Sequence, residues 1–428
     1  MAIPCIILSR IISLRSISPL YIASRTMSTQ PNRSQMDRHL YISTIDAEPL
    51  HRYRKGGYHP VTLGECLKAG RYKVLHKLGW GGYSTVWAAR DQRDQTYVAV
   101  KISVAETEYN GDTRELQTLK VLASHHPRPK HTVHMLDDFD LEGPNGSHKC
   151  LVYELLGPNV PDIIDANFPN GRLPGNLAKT IVKQCLIGLD SLHQRKIGHG
   201  DLHTRNLAFA MPYIDDLTEE RFIEMLGKPE VGYVQKRDGK CVESGVPEYV
   251  VRPASYGNHS WNLAQDVKII DFGESFLHTA PPETLHTPLS LRAPEVIFQD
   301  HIDYRVDLWS MGCMLFELFV GQPPFDTFLI TPTILVGQMR EMVTDELPER
   351  WQDKWKAMMK TGDTMATEST GPNLQEWLEE VYFDGPLSPD LTREDIVRLG
   401  QIVRRLLHFE PSVRASARQV LNDPWFNE

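Results

Sequence analysis

The segment His199-Gly200-Asp201-Leu202-His203-Thr204-Arg205-Asn206 sets an aspartate five residues ahead of an asparagine on a short polar loop. With that spacing one carboxylate can accept a proton from a hydroxyl nucleophile while a nearby amide oxygen holds Mg2+, the pairing that phosphoryl transfer needs. Further along, Val267-Lys268-Ile269-Ile270-Asp271-Phe272-Gly273 reads as a strand that delivers Asp271 as a second metal ligand, with Gly273 free to bend the chain. Taken singly, the first is a polar turn after a helix and the second a common tripeptide. Their weight comes from the company they keep.

Upstream lies Leu78, Gly79, Trp80, Gly81, Gly82, Tyr83, Ser84, Thr85 and Val86. Gly79 and Gly81 permit a tight hairpin whose backbone amides approach phosphate oxygens, and Val86 can cover an adenine ring. Ser84 stands where the usual pattern has a third glycine. Strand-type residues follow the loop, which disfavours a dinucleotide fold, where a helix would receive the phosphates. Next comes Val98-Ala99-Val100-Lys101, an alternating strand ending in a lysine suited to α- and β-phosphates. Such a lysine needs a carboxylate to orient it; Glu115 is the best candidate, with Glu106 and Glu108 behind it. After Asp271 come Ala293-Pro294-Glu295, then Asp307-Leu308-Trp309-Ser310-Met311-Gly312 opening a buried helix, and finally Arg414, placed to pair with Glu295.

These groups need a scaffold, and the chain of 428 residues allows one large two-lobed domain or two ordinary ones. Hydrophobic residues at 41% and charged residues at 24% fit a globular enzyme and exclude wholesale disorder. A net charge of −9 argues against a general nucleic-acid binder and suits a basic protein substrate. From about Arg71 to Tyr153 the pattern is strand-like. Beyond it Leu177, Ile181, Cys185, Leu189 and Leu192 recur at helical spacing. The expected fold is therefore α+β, with a small antiparallel β-sheet lobe at 71–153 and a larger, mainly helical lobe at 158–426. Gly157-Pro158 marks the joint, and the cleft there is the natural ligand site. Two insertions interrupt the larger lobe: a polar, turn-rich one near 211–261, and one near 327–390 whose Trp351, Trp355, Trp377 and Tyr382 predict packed helices.

Residues 1–50 read as a tail. Its first 36 residues carry Arg10, Arg15, Arg25 and Arg33 and no acidic residue, a composition shared by mitochondrial presequences and by disordered tails; Met27 offers an alternative start. The apolar run at Ile6-Ile7-Leu8 is too short to span a membrane. The six cysteines form no paired pattern, so a reducing compartment and no zinc site are expected.

Over roughly Arg71 to Phe426 the sequence resembles the eukaryotic protein kinases, and within them the SR-protein kinases. The second resemblance rests on Tyr53-Arg54-Lys55-Gly56-Gly57-Tyr58-His59-Pro60, on the loop at 78–87, and on Leu136-Asp137-Asp138-Phe139 ahead of the run at 151–157. It implies a serine/threonine kinase that uses ATP and Mg2+, acts as a monomer on arginine/serine-rich proteins, regulates mRNA splicing, and resides in cytoplasm and nucleus. It also implies Tyr153 as gatekeeper and an adenine site at Ala99 and at the backbone of Glu154 and Leu156.

Three departures stand out. Gly200 replaces the arginine that clamps a phosphorylated activation loop in many regulated kinases, so activity without such phosphorylation is expected. His203 occupies the place of a lysine that touches the γ-phosphate, and Arg205 is an alternative source of that cation. The segment His286 to Arg292 departs from the family's docking sequence. Two competing readings are a non-catalytic scaffold and a small-molecule kinase, whose catalytic loop the run at 199–206 also resembles.

Overall fold

The computed structural model describes residues 40–105, 113–169, 171–256, 266–325, 330–361, 373–384 and 389–426. The presequence-like stretch and the carboxylates Glu106 and Glu108 lie outside them.

The small lobe is a six-stranded antiparallel sheet in the order β2-β3-β4-β5-β7-β6, formed by β2 (Cys66–Leu67), β3 (Tyr72–Gly81), β4 (Ser84–Asp91), β5 (Thr96–Ser103), β6 (Met135–Gly143) and β7 (Gly146–Glu154). Val98, Val100 and Ile102 of β5 are buried with Val74, Trp87 and Val152 on one face of the sheet, while Tyr97 and Ala99 are buried on the other, so both faces of this central strand are covered. Helix α1 (Arg114–Ser124) is capped by Thr113, whose side chain accepts from the Leu116 amide, and buries Leu116, Leu119 and Leu122. The chain enters the larger lobe through β8 (Leu156–Asn159) and α2 (Val160–Asn167).

That lobe is built on α3 (Gly175–Gln194), where Ile181, Cys185, Leu189 and Leu192 are buried as their spacing predicts. A three-stranded sheet, β14-β10-β8, combines β10 (Leu207–Ala210) and β14 (Val267–Ile269) with β8. Short strands β9 (Ile197–Gly198) and β15 (Phe276–Leu277) pair beside it. The apolar helix α6 (Val306–Val320) is buried along nearly its whole length, as a helix hydrophobic on all sides must be. In front of it sits α5 (Pro294–Ile297), whose Glu295 makes two bonds of 2.6 and 2.7 Å to the guanidinium of Arg414, with both side chains buried.

Two regions are more ordered than their composition indicates. Residues 41–50, expected to be tail, contain β1 (Tyr41–Ile42), which pairs with β12 (Gln235–Lys236) of the first insertion. That insertion starts in the larger lobe but packs on the smaller one. Phe222 of α4 (Glu219–Leu226) stacks on Tyr97 at 3.8 Å, and Asp215 accepts from the Tyr97 amide. Val251, in β13 (Tyr249–Val251), which pairs with β11 (Val231–Tyr233), lies inside the small lobe's own core. The second insertion holds α7 (Pro332–Met342), α8 (Glu349–Thr361) and α9 (Leu374–Phe383); Trp351 and Tyr382 are buried, while Trp355 and Trp377 are partly buried against the core.

Candidate active site

The turn between β3 and β4 pairs Trp80 with Thr85 and Gly81 with Ser84, placing Gly82 and Tyr83 at the tip. A Cβ added to Gly79 or Gly81 would meet no atom within 4 Å, and neither residue has the left-handed backbone that demands glycine. Packing among the described residues thus gives no reason for these glycines.

Lys101 projects from β5 between two carboxylates. Its Nζ lies 2.7 Å from Glu115 of α1, which also accepts from the Tyr153 hydroxyl at 2.9 Å, and 3.0 Å from Asp271. Glu115 is thus a carboxylate that bonds Lys101; Glu106 and Glu108 lie outside the described residues. Burial opposes the Lys101 charge, but Asp271 and Glu115 outweigh it and hold its pKa above the ordinary lysine value. Lys101 in turn holds the Asp271 carboxyl down at about 2, against the upward effect of burial, while half of the Asp271 side chain remains exposed.

Asp271 has φ +57°, a left-handed conformation that aspartate tolerates better than most residues. The next two residues hold it there. Phe272 is fully buried edge-on to His199 at 5.1 Å, and the Gly273 amide donates to Asp271 Oδ1. The Ile270 amide donates to the Asn206 carbonyl, so β14 is bonded to the loop carrying Asp201. That loop is anchored from below by Asp307, whose two carboxylate oxygens accept from the amides of His199 and Gly200, each at 2.8 Å. Asn206 Nδ2 donates to the Asp201 carbonyl at 2.8 Å, tying its NH2 group to the loop and turning its oxygen to the other side. Asp201 Oδ1 is shielded from solvent and has no hydrogen-bond partner among the described residues, so it is an acceptor open to a donor. Lys101, Asp271, Asn206 and Asp201 are therefore linked by hydrogen bonds, and the loop from 78 to 86 joins them through β4, whose Val86 pairs with Lys101 and whose Ala88 pairs with Ala99.

His203 lies beside Asp201, with Nε2 3.5 Å from Oδ2. Arg205 is exposed, and its charge acts on Asp162 of α2; Glu317 of α6 feels His203 first and Arg205 second. The place next to Asp201 belongs to His203. In the segment joining the lobes, the Glu154 amide donates to His134 and its carboxylate takes two 2.7 Å bonds from Lys268. The Leu156 carbonyl accepts from Tyr256 of the first insertion at 3.4 Å. Sequence reasoning had no signal for Lys268 or Tyr256, since a strand lysine and an insertion tyrosine carry no motif.

Gly200 proves to be sterically required. Its φ is +79°, and a Cβ there would lie 2.7 Å from the Glu274 carbonyl oxygen and 2.9 Å from Leu285. The buried Thr287 hydroxyl donates to the Gly200 carbonyl at 2.7 Å, and Arg292 bonds the Thr287 carbonyl. The segment of residues 286–292 is docked on the loop by the Thr287–Gly200 hydrogen bond, and the Arg292 guanidinium it carries acts on Asp201.

Comparison with known proteins agrees with this geometry. The family model for the protein kinase domain matches residues 72–214 and 258–426. The serine/threonine-protein kinase SRPK of Physarum polycephalum is 30% identical over 400 residues, covering 88% of this chain and 91% of its own. Protein kinase dsk1 of Schizosaccharomyces pombe is 40% identical over 471 residues, covering 89% and 85%. SRSF protein kinase 3 of Homo sapiens is 40% identical over 176 residues, 39% of this chain and 30% of its own. The chain belongs to the protein kinase family. Within it, the chain is a serine/threonine kinase of the SR-protein kinase type.

Proposed function

We propose that this kinase transfers the γ-phosphate of ATP to serine or threonine hydroxyls of arginine/serine-rich proteins, and thereby regulates mRNA splicing. The observation that carries the catalytic part is the position of Lys101 between Glu115 and Asp271, with Asp271 tied through Ile270 to the loop of Asp201 and Asn206. The substrate class rests on the SR-type relatives and on a net charge of −9, which favours basic partners.

The residues present fit ATP and Mg2+. Gly79 and Gly81 leave room that a Cβ would fill, and an amide oxygen with an ionised carboxylate is a hard donor set of the kind Mg2+ takes alongside phosphate oxygens. Bound Mg2+ would neutralise phosphate charge as the transferring group separates. Asn206 and Asp271 would hold it, Lys101 would steady the α- and β-phosphates, and the hairpin from Leu78 to Val86 would exclude water. Asp201 takes the proton of the attacking hydroxyl as its oxygen bonds the γ-phosphorus and ADP departs. No covalent enzyme intermediate is required.

Among the described residues no helix is long and apolar enough to cross a membrane. A cytoplasmic and nuclear location follows the SR-type relatives; a fluorescent fusion compared with one starting at Met27 tests it against mitochondrial import. The function is tested with purified protein, Mg-ATP and an arginine/serine-repeat peptide, beside Asp201→Asn and a panel of small-molecule alcohols. Phosphate on peptide serines, lost in Asp201→Asn, is expected. Mg-ATP binding without transfer would leave a scaffold, and transfer only to the alcohols would leave a small-molecule kinase.

A further inference from the structure

A hairpin with glycines at its tip and an exposed aromatic at its turn has little to hold it still, yet here the tip is held from outside. The holding segment is residues 48–58, upstream of the sheet. The Tyr58 hydroxyl donates to the Gly81 carbonyl at 2.7 Å. The Arg52 guanidinium lies 5.0 Å from the Tyr58 ring centre and 5.6 Å from that of Tyr83, and its Nη1 would be 3.6 Å from a Cβ on Gly82. Three consecutive residues at the tip, Gly81, Gly82 and Tyr83, are therefore touched by two side chains of one segment. At the base of the same strand the Glu48 carboxylate contacts the Lys77 ammonium, with both groups buried.

The segment itself is fixed. The Gly57 carbonyl accepts from the Ala105 amide, the Gly56 amide donates to the Asn145 carbonyl, and Asn145 Nδ2 donates to the carbonyls of Tyr58 and Gly245. A Cβ on Gly57 would sit 1.9 Å from the Arg52 carbonyl oxygen, so that glycine sets the turn which brings Arg52 and Tyr58 together. Tyr58 is 1% exposed and stacked edge-on to Tyr53, so its hydroxyl cannot wander from Gly81. Tyr83 is 69% exposed and has no comparable packing of its own.

We infer that Arg52 and Tyr58 are positioning residues for the nucleotide loop, holding the Gly81–Tyr83 tip over bound nucleotide and setting the rate at which ADP leaves. The inference rests on the reading that this hairpin covers a nucleotide, so its test must separate the two. In the full chain, Tyr58→Phe removes only the hydroxyl, Arg52→Gln removes the cation, and Arg52→Lys keeps a charge without the planar group. ADP dissociation, followed by stopped flow with a fluorescent ADP analogue, should accelerate about fivefold in Tyr58→Phe, the size expected from one hydrogen bond. KM for ATP should rise by about the same factor, and KM for peptide should not move. Arg52→Gln should give about a threefold effect, with Arg52→Lys in between.

A melting curve without nucleotide guards against a merely structural effect. Should Arg52→Gln melt early, Tyr83→Ala, at an exposed position, removes the same contact from the other side. It should reproduce the Arg52→Gln rate, and the double variant should be no faster than either single one. Wild-type ADP dissociation in Tyr58→Phe and Tyr83→Ala, or additive effects in the double variant, would overturn the inference. If wild-type protein fails to bind the ADP analogue at all, it is the nucleotide reading that fails.

Discussion

Replacing Gly200 with arginine restores the residue that many phosphorylation-controlled kinases carry before the catalytic aspartate, and here it should break the site instead. The backbone at this position has φ +79°, which costs an ordinary L-residue about 1–2 kcal/mol. The new Cβ would also stand 2.7 Å from the Glu274 carbonyl oxygen and 2.9 Å from Leu285 Cδ2. The leucine can turn; the carbonyl belongs to the chain just after Gly273 and cannot move without dragging the activation segment. Forcing it aside adds about 1–3 kcal/mol, for a total destabilisation of about 3 kcal/mol. Because the Gly200 carbonyl also receives the Thr287 hydroxyl, peptide phosphorylation should fall with stability, and no treatment with an activating kinase should recover it. Urea unfolding by circular dichroism, paired with the peptide assay, measures both. An arginine variant within about 0.5 kcal/mol of wild type and dependent on phosphorylation would refute the reasoning. The companion test is phosphatase treatment of wild-type protein, which should leave activity unchanged. Thr287→Ala is a poor substitute, since it deletes a structural bond worth about 1 kcal/mol whether or not phosphate is involved.

Removing one partner of the buried pair, as in Arg414→Met, strands the Glu295 carboxylate and should cost about 3–5 kcal/mol in the same urea assay; a loss under about 1 kcal/mol would show the pair to be solvated. His59 and His148 are buried 4.8 Å apart, ring centre to ring centre, and burial, aided by the charge of His148, lowers the His59 pKa from 6.5 to about 4. Between those values the unfolded chain binds a proton that the folded chain refuses, so stability falls as pH drops through 6.5 to 4, by about 3 kcal/mol from this group. His59→Phe should flatten that part of the stability–pH curve, and an unchanged slope would contradict the assignment. His203→Lys places a permanent cation beside Asp201 and should raise turnover; a substantial loss would count against the view that this position limits the rate.

The candidate site was legible because phosphoryl transfer dictates residue type and order: Lys101, Asp201, Asn206 and Asp271 have few chemical substitutes, and Glu115 follows as the carboxylate that a strand lysine needs. The two-lobed fold was legible for a different reason, the change from strand-type residues between β3 and β7 to helical spacing in α3. What escaped was set by neighbours distant in sequence. Gly200 reads only as a missing arginine until the Glu274 carbonyl is seen beside it. Arg205 and His203 share the loop, but it is the His203 ring that lies 3.5 Å from Asp201, while Arg205 is exposed and its charge acts on Asp162. The strands β1, β11, β12 and β13 are two or three residues long, too short for any periodicity, and the segment of Arg52 and Tyr58 shows its purpose only once the hairpin it touches is in place.

The first insertion also governs how this molecule can be made. Val251, and Tyr249 packed beside it, fill space among Val74, Trp87 and Val98, yet they are translated long after the sheet that needs them. While the ribosome is still adding the catalytic loop, the emerging small lobe has a hole in its interior and bare apolar surface where Phe222 will later cover Tyr97. Any small lobe that collapses before residues 222–251 are made leaves that apolar surface uncovered, the kind of exposure that makes a folding intermediate prone to stick.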